Sequence, residues 1–413
     1  MEGKQVSDGI KLRPHQKEGI KFILSRTHSG LFLPTGMGKT LIALIYLHIL
    51  DTPALIVAPA SMKRVWLEEN MKFKINLNIS TDYRMPGKIV LVSYDWLKYN
   101  EEVIDEYDTV VLDEGKLISD TETVRYKNMS GRLRSRKRLV ILAGYPIENK
   151  LTEIFGQISL ISDVLGDNYY HFLYKYFTVV KHKGRIVRVN PKHGSLEQIV
   201  EKISSIVFVS DKSKVVSVKK EVITRRFVLS DYQIDMIESL TNTGVYSDDK
   251  VSIRCKHFLV VFTKVMQIIS GFVYNIDDNN ELYPVFFAEN PKLDLLRRTV
   301  GERSNFLLWH FFDAERDILK EFSRQCKLCK LQTDSRGLNL QSYDFAAYYT
   351  IPLSGGQFLQ SVDRMHRIGR KRDVISIVLA PEGDFGDRLL AMMTRKRKLT
   401  HSFIKELLGS KLR

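Results

Sequence analysis

LPTGMGKT, residues 33–40, follows a short apolar run at 31–32 and precedes a long one, LIALIYLHIL, at 41–50. Strand, glycine loop, helix is the order that a phosphate-binding loop requires. Gly36 and Gly38 let backbone N–H groups approach oxygens that a side chain would push away, with Thr35 before them and Met37 between them in the turn. Lys39 supplies a fixed positive charge, and Thr40 offers a hydroxyl to the magnesium ion that accompanies a nucleotide. The helix that follows points its positive dipole end at the phosphates. The general pattern G-x-x-x-x-G-K-[ST] has glycine at the first position, where this chain has Leu33.

Working outward, residues 10–162 alternate β-rich runs with amphipathic stretches. The strands expected are GLFL (30–33), ALIVA (54–58), KIVLVS (88–93), TVVLD (109–113) and RLVILA (138–143). Helix-like segments between them predict a parallel sheet covered on both faces, hence an α/β fold. Ligands in such sheets sit beyond the carboxyl ends of the strands, so the loops after Leu33, Ala58, Ser93, Asp113 and Ala143 should line one crevice. From about Asp163 to Arg226 the pattern gives way to aromatic and basic stretches, YYHFLYKYF and KHKGRIVRVNPKH, read as an inserted helical subdomain and connector. A second βα series begins near Asn290, with NFLLWH (305–310), CKLCKLQT (326–333), FAAYYT (345–350) and VISIVLA (374–380), and a helix from about Asp384 ends it. The domains expected are 1–165, an N-terminal nucleotide-binding lobe; 166–285, the helical insertion and connector; and 286–413, a second lobe with its final helix.

The chain has 413 residues, 44% hydrophobic, a net charge of +15 and a pI near 9.5. That length accommodates two ordinary domains, and that charge attracts a polyanion, nucleic acid first. No apolar run reaches the ~18 residues of a membrane span, and MEGKQVSDGI at the start lacks a signal-peptide core. The expectation is a soluble, intracellular protein, with no membrane partner. Three cysteines make no disulfide framework, which fits a reducing compartment.

A phosphate loop needs a carboxylate at the end of a neighbouring strand to hold magnesium, and VVLDEGK supplies Asp113, with Glu114 placed to orient or deprotonate a water. At this point the chain resembles the superfamily II helicases, and within them the Swi/Snf-like branch of DNA translocases. LRPHQKEGIKFIL (12–24) resembles the glutamine motif, which assigns Gln16 to the adenine edge. LPTGMGKT is the family's own form of the loop, which accounts for Leu33. ALIVAPASMKRVW (54–66) is similar to motif Ia, VLVSYDWL (90–97) to motif Ib, DEGK to the DEAH box and LAGYPIENKLTEIFGQI (142–158) to motif III. LQTDSRGLNL (331–340) resembles motif V, and QSVDRMHRIGR (360–370) resembles motif VI.

The resemblance implies two RecA-like lobes that hydrolyse ATP with Mg2+ in the cleft between them and move on DNA. Gln360, Arg364 and Arg367 have the spacing Q-x-x-x-R-x-x-R, which predicts two arginines one helical turn apart on one face, acting as arginine fingers on the transferring phosphoryl group. The same resemblance carries Gly337 and Asn339 of motif V to the nucleotide, and Pro59, Ser61, Ser93, Thr333 and Ser335 to sequence-neutral contacts with the DNA backbone. The chain departs from the family at Lys116 (histidine in the DEAH box), Tyr145 (the second threonine of motif III) and Arg370 (a second glutamine). Only about 20 residues separate NFLLWH from motif V, so a trimmed second lobe is expected.

Two other features are read plainly. RLRSRKR (132–138) and RKRK (395–398) are taken as solvated helix surface before any DNA patch or nuclear address. Cys255, His257, Cys326 and Cys329 could form a four-ligand zinc site only by pairing two distant half-motifs, and the two cysteines of CKLCK fit an apolar strand better. Trp66 and Trp96 are expected in the core. The function expected is an ATP-dependent translocase or helicase, monomeric, that remodels duplex, forked or branched DNA by fork reversal or branch migration, like small phage or prokaryotic members. Its location would be the cytoplasm of a prokaryote or infected host, or the nucleus of a eukaryote. The alternatives are an RNA-directed helicase of the same superfamily, and a non-catalytic DNA-binding component of a restriction or packaging complex.

Overall fold

The computed structural model describes residues 10–410 apart from 86, 278, 280, 335–339 and 353. The chain forms two compact units, one made of the residues through Ser217 together with those from Lys396, the other of Val218–Arg395.

In the first unit seven parallel strands form one sheet. They are β1 (His28–Phe32), β2 (Ala54–Ala58), β3 (Ile79–Ser80), β4 (Ile89–Ser93), β5 (Thr109–Asp113), β6 (Arg138–Ala143) and, after an antiparallel hairpin of β7 (Phe177–His182) and β8 (Arg185–Pro191), β9 (Val207–Val209). Their order is β3-β4-β2-β5-β6-β1-β9. Strands β2, β4 and β5 are buried at every position because helices cover both faces, so Val, Ile and Leu occur in unbroken runs without alternation. The registers Phe32↔Ala143, Asp113↔Leu142 and Ala58↔Ser93 align the carboxyl ends of five strands at one edge of the sheet.

The second unit has a five-stranded parallel sheet of β10 (Lys220–Phe227), β15 (Phe306–His310), β16 (Cys326–Lys330), β17 (Phe345–Tyr348) and β18 (Val374–Pro381), in the order β10-β18-β17-β15-β16. Between β10 and β15 come two antiparallel hairpins, β11 (Val245–Ser247) with β12 (Ser252–Arg254) and β13 (Phe272–Ile276) with β14 (Leu282–Phe286). Each unit has its own apolar cluster, one around Phe32, Leu112 and Ile158, the other around Trp309, Tyr348 and Phe358. No helix among the described residues is long and apolar enough to cross a membrane.

The stretch expected to be a helical insertion does carry helices, Tyr169–Tyr176, Ser195–Ile203, Asp231–Thr243 and Phe258–Ile269. It also gives an edge strand to each sheet, β9 and β10. β9 is three residues long, within the short apolar run at 206–209, and most of β10 is exposed and charged, so neither leaves a long apolar run to read.

Candidate active site

The phosphate loop follows β1 without a break. Leu33 donates its amide to the Ala143 carbonyl at 3.0 Å and buries its side chain, so this position extends the strand and needs no glycine. The turn tightens afterwards, with Gly36 at φ 84° and Gly38 at φ 81°, a left-handed backbone that glycine adopts freely. A Cβ at Gly38 would also lie 2.4 Å from Gln16 Nε2 and displace that side chain. Gln16 Oε1 accepts the Arg13 amide at 2.9 Å as part of the cap on helix Pro14–Leu24, so this carboxamide sits against the loop. From the same helix His15 Nε2 reaches the Met37 carbonyl at 3.0 Å, and burial holds its pKa below the ordinary value of 6.5. Lys39 opens helix Lys39–Leu50 and donates to the Leu33 carbonyl at 2.8 Å. Lys212, buried just after β9, donates to the Thr35 carbonyl at 2.8 Å, so two ammonium groups hold two carbonyls of one loop.

Strands β5 and β6 bring the carboxylates to this loop. Asp113 ends β5 and is buried; Trp66 Nε1 donates to its Oδ2 at 2.9 Å, and the Tyr94 hydroxyl donates to its carbonyl at 2.8 Å. Glu114 follows with φ 51° and ψ 50°, a left-handed conformation that costs a non-glycine residue about 1–3 kcal/mol and that the surrounding packing must enforce. Gly144, just past β6, marks where the groups converge. A Cβ there would lie 3.3 Å from Thr35 Oγ1, 3.6 Å from Lys39 Nζ and 3.8 Å from Glu114 Oε1. Thr35 Oγ1 is buried without a hydrogen-bond partner among the described residues, as a donor meant for a ligand would be. Ammonium, hydroxyls, carboxylates and helix-terminal amides around a glycine fit a nucleotide polyphosphate with a hard divalent cation.

Lys116 gains partners that its family position does not announce. Its Nζ lies 3.0 Å from a Glu148 oxygen and 2.9 Å from a Glu153 oxygen, while Glu153 Oε2 also accepts the Glu148 amide at 2.8 Å. The lysine that replaces histidine thus ties DEGK to the loop after β6, where Tyr145 is buried. Neither Lys212 nor Glu148 and Glu153 stood out in the sequence, because their partners lie far along the chain.

In the second unit, Gln360 and Arg364 lie on helix Gly355–Met365, both buried. The helix ends before Arg367, which corrects the expectation of two arginines on one helical face. His366 leaves helical geometry at ψ 82°, and its Nε2 meets the Val218 carbonyl at 2.7 Å. Gln360 has neither carboxamide atom hydrogen-bonded among the described residues. Asp363, just before Arg364 in sequence, is fully buried and pairs with Lys220 at 3.3 Å. Arg370 turns inward to carbonyls, among them those of Gln341 and Arg372.

The residues expected to grip DNA separate by unit. Pro59, exposed Ser61 and Ser93 meet at the carboxyl ends of adjacent β2 and β4, where the Ser93 hydroxyl accepts the Trp96 amide at 3.2 Å. Thr333 lies on the turn after β16; Ser335, Gly337 and Asn339 lie outside the described residues. RLRSRKR is neutralised by its own unit, through Arg132 to Asp105, Arg134 to Asp163 at 2.5 Å and Lys137 to Asp108 at 2.5 Å. For zinc, no group of three or more His, Cys, Asp or Glu among the described residues is arranged to hold a metal. Cys329 is buried in β16 opposite Trp309, and burial pushes the Cys326 and Cys329 thiols up to about 12, away from the thiolate a metal requires.

Comparison with known proteins gives these residues relatives. A family model, the SNF2-related domain, matches residues 15–238. The chain is 25% identical to the putative ATP-dependent helicase/translocase YwqA of Bacillus subtilis over 97% of its own length and 50% of that protein. It is 23% identical to the SWI/SNF-related matrix-associated actin-dependent regulator of chromatin subfamily A-like protein 1 of Xenopus tropicalis, over 95% of this chain and 45% of that one. To the mouse DNA annealing helicase and endonuclease ZRANB3 it is 22% identical, over 95% of this chain and 40% of that protein. The chain therefore spans about half the length of the curated relatives it matches. Among solved structures, a Sulfolobus solfataricus SWI2/SNF2 ATPase core in complex with dsDNA aligns over 98% of this chain and 95% of that one, at 19% identity and a TM-score of 0.45.

Proposed function

The chain belongs to the SNF2-related domain family, and from that premise we propose that it hydrolyses ATP and uses the energy to move on duplex DNA. The observation that carries this reading is the convergence of Thr35 Oγ1, Lys39 Nζ and Glu114 Oε1 around Gly144. Lys39 exchanges the Leu33 carbonyl for phosphate oxygens, and the amides that open helix Lys39–Leu50 bind the same group. Glu114, fixed by its left-handed backbone, orients the attacking water and takes its proton. Thr40 and Asp113 would hold a magnesium ion, which neutralises phosphate charge when bound. Trp66 holds the Asp113 carboxylate in position through its indole N–H, which donates to Oδ2. Arg364 and Arg367, carried over from motif VI, supply positive charge to the phosphoryl group in transfer.

The finer reading is that branched DNA is the substrate, remodelled by fork reversal or branch migration. Its support is the relative named a DNA annealing helicase, together with the basic charge of the chain. ATP turnover should be measured alone and with linear duplex, forked DNA, a four-way junction and RNA. Duplex and branched DNA should stimulate it, and stimulation by RNA alone would move the assignment to an RNA-directed enzyme. Lys39→Ala should abolish nucleotide binding and turnover together. Glu114→Gln should keep binding while losing about 10²-fold or more in turnover. Undiminished turnover in both variants would leave a DNA-binding protein without this chemistry.

A further inference from the structure

Between Asp167 and Glu197 the chain carries six lysines and arginines, three histidines and no acidic residue. The motifs of the site account for none of it. The structure makes its centre a two-stranded ribbon, β7 and β8, joined by Lys183 and Gly184 at φ 47° and φ 77°. Two successive left-handed residues make a type I′ turn, whose twist matches a hairpin's and fixes its register. The base of the ribbon is anchored. Phe177 is buried against Phe172, and Lys192 donates its amide to the Tyr176 carbonyl at 3.0 Å and its Nζ to the Tyr174 carbonyl at 2.7 Å.

Beyond that base, both faces of the ribbon are exposed from Val180 to Arg188. The pairings His182↔Arg185 and Val180↔Arg188 place the two arginines on one face, since an irregularity in the register at Val180 and Lys181 adds one residue to β8, and the pairing Lys181↔Ile186 places Lys181 on the other. Lys183 stands at the tip. Lys183, Arg185 and Arg188 make no ion pair among the described residues, unlike Arg132, Arg134, Arg136 and Lys137, which are paired within the unit. A bare hairpin in water is marginally stable, so a ribbon held rigid by its base and turn, solvated on both faces and charged on both, is suited to lie between two anionic walls. A nucleic-acid groove has that shape, and the major groove of a duplex admits a two-stranded ribbon.

We propose that the β7–β8 ribbon is a further DNA-binding element, which enters a groove of the duplex and contacts phosphates through Lys183 at its tip and Arg185 and Arg188 on one face. The inference rests on the reading of the protein as one that acts on DNA. Arginine and lysine on a ribbon without acidic neighbours grip the backbone and do not read bases, so the grip is indifferent to sequence. Exposed Tyr170 and Tyr174 on the preceding helix lie on the approach to the same base.

The test compares the full chain with two triple variants that remove equal charge. One carries Lys183→Gln, Arg185→Gln and Arg188→Gln on the ribbon; the other carries Arg132→Gln, Arg134→Gln and Lys137→Gln in the paired run. Affinity for a linear duplex is measured from 50 to 200 mM salt, with thermal unfolding as a check that each variant folds. The ribbon variant should bind about 10-fold or more weaker at low salt, and its slope of log K against log salt should fall by up to about 2.7, at ~0.9 for each phosphate no longer neutralised. The control should stay within about twofold. A ribbon variant with the affinity and slope of the parent, or a control that weakens as much, would overturn the proposal. So would a ribbon variant that keeps its DNA affinity but loses binding to anionic lipid vesicles. A parent chain that binds no duplex at all would instead refute the DNA reading on which the proposal stands.

Discussion

At the scale of single residues, Gly144 carries the most consequence. A methyl group there would come within 3.3 Å of Thr35 Oγ1, so that this hydroxyl must give by a few tenths of an ångström, and would touch Lys39 Nζ at 3.6 Å, with side-chain atoms as its three nearest neighbours. Gly144→Ala should therefore fold with little change in unfolding midpoint and bind nucleotide at least about 10-fold more weakly; equal affinity would mean that ligand does not pass between those groups. His15 gives a second prediction, through pH. Burial lowers its folded pKa below the ordinary 6.5, so between 6.5 and the lower folded value the unfolded chain holds more protons than the folded one. Stability is then present above pH 6.5 and is lost as pH falls through that window, levelling off once the folded residue also protonates. His15→Gln should flatten this part of the stability profile between pH 8 and 5.5, and an unchanged profile would place the titration elsewhere. Much of this residue scale was legible: Lys39, Asp113 and Glu114 could be named from spacing, because a phosphate loop and a strand-terminal carboxylate are local patterns. Lys212 was not, since nothing local marks a lysine whose acceptor, Thr35, lies 177 residues earlier.

At the scale of elements, the strands of the first sheet were readable because buried parallel strands leave unbroken apolar runs, and β2, β5 and β6 have the bounds those runs suggested. Their order was not readable, because the pairing of parallel strands is decided by helical crossovers and leaves no periodicity in sequence. The edge strands β9 and β10 escaped for the reason already given, and the helix carrying motif VI ends at Met365, two residues sooner than its spacing implied, where His366 finds a carbonyl on the strand side. Lys116 belongs to this scale, for it joins the turn after β5 to the segment after β6. Its side chain is 19% exposed and its partners Glu148 and Glu153 are 8% and 21% exposed, shielded enough for the ion pairs to matter. Lys116→Ala leaves two carboxylates facing each other and should cost about 2 kcal/mol in denaturant unfolding. Lys116→Met with Glu148→Gln should recover part of that loss, since the double change removes both ends of one pair. Purely additive losses would show that the clamp is not a coupled unit.

At the scale of the whole molecule, two units with separate apolar clusters imply two unfolding events, and the placement of the site tells which one a nucleotide governs. Thr35, Lys39, Asp113, Glu114 and Gly144 all lie in the first unit, as does Lys212, whose hold on the loop closes five residues before the chain passes into the second. Just beyond that passage, Val218 and Lys220 are held by His366 and Asp363 on either side of Arg364. The first unit also includes the end of the chain, where Leu399 packs against its core. ADP ends before the phosphoryl group that Arg364 and Arg367 are proposed to meet, so its grip should come from the first unit alone. Calorimetry should accordingly resolve two transitions, of which ADP with magnesium raises one, by about 2.7 kcal/mol at a hundred times its Kd. Lys39→Ala should cancel that rise and leave the other transition where it was. Were ADP to raise both equally, or Lys39→Ala to retain the rise, the phosphate loop would not be the nucleotide's principal anchor.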